Sequence, residues 1–296
     1  MEYYNRTDLN YKDVVKSHVL YPMIKIELLD EYENAYDEII QEISSQNQGT
    51  ISMNYQSGVR SSVNLSIFDP VGTFLPNPND KYFWINKKFK IYVGLSTKTY
   101  SDNENPLIYK GSKEALVSST EDYEKAPELK TEAIKVSDSS KDYIQDIYWF
   151  AKGVFIITDI SSTDQGASRI ISLSGVDKFG AFTNDTGYGE MIGTFSLPKG
   201  TKINVAIREI LRQDRGNGQL LDPVEPIIDP YFQNYTLPVD LDKGPGSYIG
   251  DLLTDLSNTL HADIFYDNNG RLNIRQSLNQ DEYRNVPKQW DFVRGD

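Results

Sequence analysis

The sequence contains no cysteine, which excludes disulfide bonds, a cysteine nucleophile and zinc held by thiolates. It has only two histidines, His18 and His261, so a histidine metal site or a Ser-His-Asp triad would have to use one of them. Each histidine ends a segment with a helical pattern, where a histidine commonly interacts with the negative end of the helix dipole. The sequence therefore predicts no catalytic, cofactor-binding or metal-binding residue.

Basic residues are also scarce. The 296 residues include 43 acidic and 30 basic side chains, for a net charge of −13, and no dense basic run. Because tight binding of nucleic acid depends on Lys and Arg contacts to phosphates, this composition argues against specific DNA binding. No apolar run approaches the roughly 18 residues of a membrane helix, and residues 1–13 lack the pattern of a secretory signal. We expect neither a signal peptide nor a membrane anchor.

Short segments with alternating apolar and polar residues dominate the chain, and such alternation is typical of β-strands. The predicted strands are 21–29, the polar and edge-like 38–55, 63–68, 89–95, 154–160, 169–176, 262–266 and 272–274. Helices are predicted at 9–18, briefly around Phe179–Phe182, from Thr201 to Gln213 with Thr201 as cap, and after Ser247 with Ser247 as cap. The predicted fold class is therefore mainly β with a few helices (α+β).

The segment 96–148 differs from the rest because it is rich in acidic, Ser, Thr and Asn residues and keeps no helical or strand period. We interpret it as an inserted arm of the first domain. A Gly- and Thr-rich stretch at 183–198 marks a boundary, which predicts one domain at 1–195 and a second at 196–296. We expect this second domain to lack a part, or a partner to supply that part. A Pro-rich loop (Pro223, Pro226, Pro230, Pro238) is expected to lack regular structure.

Three blocks of the sequence resemble, in order and spacing, the tail-hub (baseplate hub or tail-tip) proteins of bacteriophages. The first, Ser57–Ser96, holds a strand through Val63, Leu65 and Ile67, a turn at Asp69–Gly72, a Pro/Asn loop, the aromatic cluster Tyr82–Trp84 and a strand from Phe89 to Leu95. The second, Trp149–Phe182, contains Gly153–Ile157 and Gly175–Lys178. The third, Lys199–Ile274, contains the approach to the Thr201 helix and the turn Asp267–Gly270.

The resemblance implies a fold of two tube-like β-barrel or sandwich domains and a structural role without enzymatic activity or cofactor. In that family, three copies form a ring with pseudo-sixfold symmetry that closes or extends the distal end of the tail tube. The implied partners are further copies of the chain, the tail tube or distal tail protein, the tape-measure protein, and spike or receptor-binding proteins. The implied location is the virion tail tip, assembled in the host cytoplasm, where DNA passes without specific binding during ejection.

Two other functions remain open. A cell-wall hydrolase needs only two placed carboxylates, and a carbohydrate-binding β-module could use the aromatic cluster Tyr82–Trp84 to stack on sugars. Gly187, Gly189 and Gly193 do not have the spacing of a dinucleotide loop. Asp267 and Asn269 fit a hairpin turn better than a calcium loop, which requires a glycine at its sixth position.

Overall fold

The computed structural model describes residues 21–43, 48–54, 61–69, 74, 83–96, 107–110, 148–164, 169–183, 188–214 and 220–277. This part of the chain is mainly β, with antiparallel sheets and three α-helices, so the predicted α+β class is confirmed. The predicted helix at 9–18, most of the arm at 96–148 and residues 278–296 lie outside the described residues.

The largest sheet in the described part of the chain has eight strands and is antiparallel throughout. In chain order they are β1 (Tyr21–Leu29), β2 (Ala35–Glu42), β3 (Gln48–Met53), β4 (Ser61–Phe68), β5 (Lys88–Ser96), β6 (Leu107–Lys110), β7 (Tyr148–Asp164) and β8 (Arg169–Asp177). In space the order is β3-β4-β8-β7-β5-β1-β2-β6. The single strand predicted at 38–55 is wrong, because this segment holds most of β2 and all of β3, which lie on opposite sides of the sheet. Its polar part, β3, does lie at one edge, and β6, in the described part of the arm, pairs with β2 at the other.

The sheet is rolled so that strands far apart in its order share one core. Ile26 and Leu28 of β1 belong to the same buried cluster as Val63 and Leu65 of β4. Between strands that are not neighbours, the Gln41 side chain on β2 donates a hydrogen bond of 3.0 Å to the Phe68 carbonyl on β4. Because no backbone ladder joins the two edges among the described strands, the sheet is rolled but open rather than a closed barrel.

The second unit combines helices with short strands. It comprises α1 (Lys178–Thr183), β9 (Phe195–Leu197), α2 (Ile203–Leu211), β10 (Ile227–Ile228), a 3₁₀ turn (Pro230–Phe232), β11 (Leu241–Lys243), α3 (Ile249–Leu260), β12 (Ala262–Tyr266) and β13 (Leu272–Gln276). Strands β12 and β13 form the predicted hairpin, and β10 adds to it in parallel. The Pro-rich loop therefore contains short regular elements, contrary to expectation, because its backbone pairs with β13 and β9.

The amphipathic pattern of α2 and α3 correctly predicts their buried faces, which carry Ile203, Ala206, Ile207, Ile210 and Leu211 on α2 and Ile249, Leu252, Leu253 and Leu256 on α3. The predicted caps are wrong. Lys202 and Tyr248 occupy the N-cap positions without side-chain caps, and the Thr201 hydroxyl bonds instead to the Pro198 carbonyl. None of the helices in the described part of the chain is long and apolar enough to cross a bilayer.

The second unit packs on the outer face of the rolled sheet. Ile156 of β7 and Val176 of β8 point away from the first core and belong to the hydrophobic cluster of the second unit. That cluster also includes Phe182 and Tyr188, which lie before residue 195 in sequence. Whether 195 separates two independently folding domains remains a prediction.

Candidate functional site

Four charged side chains and one tyrosine meet where the two units join. Lys178 begins α1 directly after β8, and Asp177 caps this helix by accepting the Gly180 N–H at 2.7 Å. Glu33 lies in the turn between β1 and β2, and Lys88 starts β5. The other two members are Asp222, in the segment after α2, and Tyr266, at the end of β12. We call these five residues the junction network.

Lys178 is the centre of the network. Its ammonium donates to the Glu33 carboxylate at 2.6 Å, the Asp222 carboxylate at 3.0 Å and the Gly270 carbonyl at 2.7 Å. The ring of Tyr266 lies 5.1 Å below it. An ammonium has three N–H donors, and each of them has an acceptor here. Since the Lys178 side chain is 0% exposed, this saturation offsets the large cost of removing a charge from water.

The two carboxylates are also fully engaged. Asp222 accepts the Tyr266 hydroxyl at 2.7 Å and the Val224 N–H at 3.0 Å in addition to Lys178. Glu33 accepts Lys88 at 2.7 Å, and its side chain is 5% exposed. Burial raises the pKa of Tyr266 well above its usual value of 10.0, with a further contribution from the negative charge and hydrogen bond of Asp222. The tyrosine therefore remains a hydrogen-bond donor over the physiological pH range.

The backbone conformation at Glu33 places its carboxylate in the junction network. Glu33 adopts a left-handed conformation with φ of 65°, which is unfavourable for a residue with a side chain. The preceding Asp30 holds this turn, because its carboxylate accepts the N–H groups of Tyr32 and Asn34 at 2.9 and 2.8 Å. On the other side of the junction Gly270 has φ of 76°, and a Cβ there would meet Val154 at 2.6 Å. A side chain at position 270 would therefore displace Val154, and it would also come within 3.4 Å of the Glu33 carboxylate.

This arrangement suits a structural role better than a catalytic one. A general base needs an available lone pair and a route for substrate, whereas Lys178 has all three N–H groups bound and no exposed surface. In the described part of the chain, no group of three or more His, Asp or Glu side chains is placed to bind a metal ion. The chemistry of the junction network is therefore that of an ionic contact between two packed units.

The other residues discussed from sequence have ordinary structural positions. His261 is exposed, caps the C-terminus of α3 in a left-handed conformation with φ of 49°, and donates its backbone N–H to Asn258. Asp267 accepts the N–H groups of Asn269 and Arg271 within the hairpin turn, as predicted. Phe83 of the aromatic cluster is 0% exposed and packs edge-on against Phe74 at 5.9 Å, so it is not available to a sugar. His18 and Tyr82 lie outside the described residues.

The junction network was not predicted from the sequence, although the sequence context of one member, Lys178, is unusual. Lys178 stands in the buried run Val176–Phe182, where Asp177 is the only other charged residue. A lysine between a core strand and an apolar helix suggests a buried, paired cation. Its partners lie 145 and 44 residues away in the chain, and pairing at that separation is not visible in local periodicity.

No protein-family model matches the chain, and a search among curated proteins finds no similar sequence. Solved structures do show similarity. A tail protein from Neisseria meningitidis MC58 has 11% identity and a TM-score of 0.40, with 86% of this chain and 50% of that one covered. The 43 kDa tail protein of prophage MuSo2 from Shewanella oneidensis has 11% identity and a TM-score of 0.41, with 88% and 56% covered. The PdpA–VgrG complex of Francisella has 9% identity and a TM-score of 0.45, with 97% and 34% covered.

The chain thus spans between about a third and just over a half of the length of these structures. Two of the three are tail proteins.

Proposed function

We propose that the chain is a structural, non-enzymatic subunit of a phage tail tip or baseplate hub. In this role, copies of the chain form a ring that closes or extends the distal end of the tail tube and lets DNA pass during ejection. The ring is a homotrimer with pseudo-sixfold symmetry, and it contacts the tail tube, tape-measure and spike proteins at the virion tail tip.

The observation that carries this proposal is the way the three sequence blocks fold. Block Ser57–Ser96 supplies β4 and β5, block Trp149–Phe182 supplies most of β7 together with β8 and α1, and block Lys199–Ile274 supplies α2, α3 and the β12–β13 hairpin. The blocks that carry the family resemblance are therefore the structural frame of both units. The saturated junction network fixes these units to each other, as a ring subunit requires.

The edge of the sheet offers a surface for assembly. Among the described strands, β3 pairs only with β4, so its outer side is free, and five of its six residues are exposed. A free edge strand is a template for pairing with another chain. We assign β3 to the contact between neighbouring subunits.

Native mass spectrometry of the purified chain, followed by imaging of its symmetry in the virion, tests this proposal. The expected species has three times the 33.7 kDa chain mass and appears as a ring at the tail tip. Ser52→Lys, on the exposed edge strand, should reduce the ring fraction because a lysine blocks edge pairing. Thr259→Lys, on the exposed side of α3, is the matched control and should leave the ring intact. A chain that is monomeric at high concentration and absent from purified tails would refute the proposal.

A further inference from the structure

One part of the outer face of the eight-stranded sheet has an unusual composition. It spans β3, β4, β8 and the last part of β7, and it consists of two adjacent rows of side chains. Within each row, the residues are paired directly across neighbouring strands. The first row is Thr50, Asn64, Ser174 and Asp159, and the second is Gln48, Ser66, Ser172 and Ser161. We call these eight residues the neutral face.

The neutral face is polar, accessible and almost free of charge. Five of its residues are exposed and three are half-buried between their neighbours. None is basic, none is aromatic, and Asp159 alone is charged. The Ser174 hydroxyl donates to the Asn64 side-chain oxygen at 2.7 Å, so part of the face is linked across strands without any ion pair.

The composition disfavours three common uses of a flat protein surface. An ordinary solvent-facing surface carries about a quarter to a third charged residues. The centre of a protein–protein interface is enriched in aromatic residues, Met and Arg and depleted in Ser. A surface that holds sugars or single-stranded nucleic acid presents aromatic rings for stacking. The neutral face has none of these features, and it offers instead hydroxyl and amide groups that can hydrogen-bond to water.

The rest of the outer face provides a contrast within the same sheet. Strands β1 and β5 lie beyond the part of β7 that the second unit covers. There, Lys25 of β1 pairs with Glu27 at 2.7 Å and lies over the ring of Tyr92 of β5 at 4.1 Å. Lys90 donates to Asn269 of the second unit at 3.0 Å. These two cations therefore lie on β1 and β5, and Lys90 contacts the second unit, whereas the eight described residues of the neutral face include no cation.

We propose that the neutral face lines the passage of the assembled ring and faces the moving DNA, an inference that rests on the proposed function. A polyanion binds a surface mainly by releasing counter-ions when Lys or Arg neutralise phosphates. The neutral face has no cation for this, and Asp159 adds a weak repulsion. Its hydroxyl and amide groups keep the wall hydrated. Because the wall forms no ionic contact with the phosphates, DNA slides past it.

The cysteine-free sequence makes a direct test possible. Thr50→Cys and Ser161→Cys place single thiols at exposed positions on the two ends of the neutral face, and Thr259→Cys reports the activity of the reagents elsewhere on the chain. Each full-length variant is treated, as free chain and in assembled particles emptied of DNA, with a small maleimide and with one carrying a long polyethylene glycol chain. Both reagents should label the free chain at all three positions.

In particles, the small reagent should still label positions 50 and 161, while labelling by the large reagent is lost. Labelling of these positions by the large reagent in particles would place the face outside the passage, and protection from the small reagent would place it in a contact. Either result overturns the inference and leaves the ring subunit intact. If the chain is absent from the particles, the proposed function itself fails.

A second measurement addresses the mechanism. Particles with Ser161→Lys, away from the edge strand β3, should eject DNA more slowly at low salt than particles with Ser161→Gln, and added salt should remove the difference, because the new cation binds phosphate by counter-ion release. Equal ejection rates at every salt concentration would show that the neutral face does not meet the DNA.

Discussion

Replacement of Lys178 by methionine probes the junction network directly. Methionine keeps most of the volume of the side chain and removes the charge, so the change isolates the ionic contacts. Asp222 would retain Tyr266 and the Val224 N–H but lose its cation. Glu33 would still be paired with Lys88. The variant therefore leaves one buried carboxylate without a counter-charge, together with one carbonyl, at Gly270, that loses a hydrogen bond.

Removing one partner of a buried ion pair costs about 3–5 kcal/mol. Because Lys88 still neutralises Glu33, and Asp222 keeps two hydrogen bonds, we expect the lower end, about 3 kcal/mol. This is a large share of the roughly 5–15 kcal/mol by which a typical domain is stable. The cost comes from the unpaired Asp222, so adding Asp222→Asn to the variant should recover most of the loss.

Urea denaturation followed by tryptophan fluorescence and circular dichroism measures the change. Lys243→Met is the matched control, since Lys243 pairs at 2.8 Å with Asp255, whose side chain is 50% exposed, and such surface pairs contribute about 0–1 kcal/mol. A loss below about 1 kcal/mol for Lys178→Met, similar to that of the control, would refute the reasoning. So would a double variant that is less stable than the single one.

Three further variants test the packing and the protonation of the structure. Because the pKa of Tyr266 is raised in the folded chain, the unfolded chain loses this proton first, and stability should fall above about pH 10 by up to about 1.4 kcal/mol per pH unit. Tyr266→Phe should lack this component when the free energy of unfolding in urea is measured at pH 9 and 11. An equal change of that free energy with pH in wild type and variant would contradict the prediction. Gly250→Ala should cost about 1–3 kcal/mol, because its Cβ would lie 2.0 Å from Thr183 Cγ2, whereas Gly193→Ala, in open space, should unfold like wild type. Phe83→Ala should lower stability by about 3–5 kcal/mol, and a change below 1 kcal/mol in the same assay would show that the ring is not in the core.

The strands were predictable because their signal is local. Alternation of apolar and polar residues gave β1 and β4 within a few residues, since one face of each strand is buried in the first core. The turn Asp267–Gly270 was predictable for the same reason, because its Asx hydrogen bonds and positive φ are determined by four successive residues. The two helix caps were predicted wrongly because backbone pairing with neighbouring segments fixed those positions. At α2, for example, the Ile203 N–H donates to the Tyr235 carbonyl.

Features that depend on distant residues were not predictable from one sequence. The rolling of the sheet joins β2 to β4 through Gln41, whose role has no local signature. The neutral face also emerges only from the register, because Thr50, Asn64, Ser174 and Asp159 are brought into one row by three strand pairings. In the sequence, each of these residues looks like an ordinary solvent-facing position of its own strand.

The junction network raises the question of why the contact between the units is ionic rather than apolar. A buried ion pair often contributes little more to stability than well-packed apolar side chains of the same size. Its cost when misaligned is larger, because any other docking of the two units leaves the buried Lys178 without Glu33, the acceptor that the first unit supplies. We infer that the network selects one orientation between units, and identical orientation in every copy is a condition for a closed ring.

The variant Lys178→Met/Asp222→Asn separates orientation from stability. It removes one charge of each sign and keeps the Glu33–Lys88 pair, so its free energy of unfolding should remain within about 1 kcal/mol of wild type. If the ions select the orientation, its ring fraction in native mass spectrometry should nevertheless fall several-fold, and scattering from the free chain should show a broader distribution of shapes. Because the fold is intact in this variant, a loss of rings cannot be attributed to unfolding. Rings of normal yield and symmetry would show that apolar packing of Ile156 and Val176 is sufficient to orient the units.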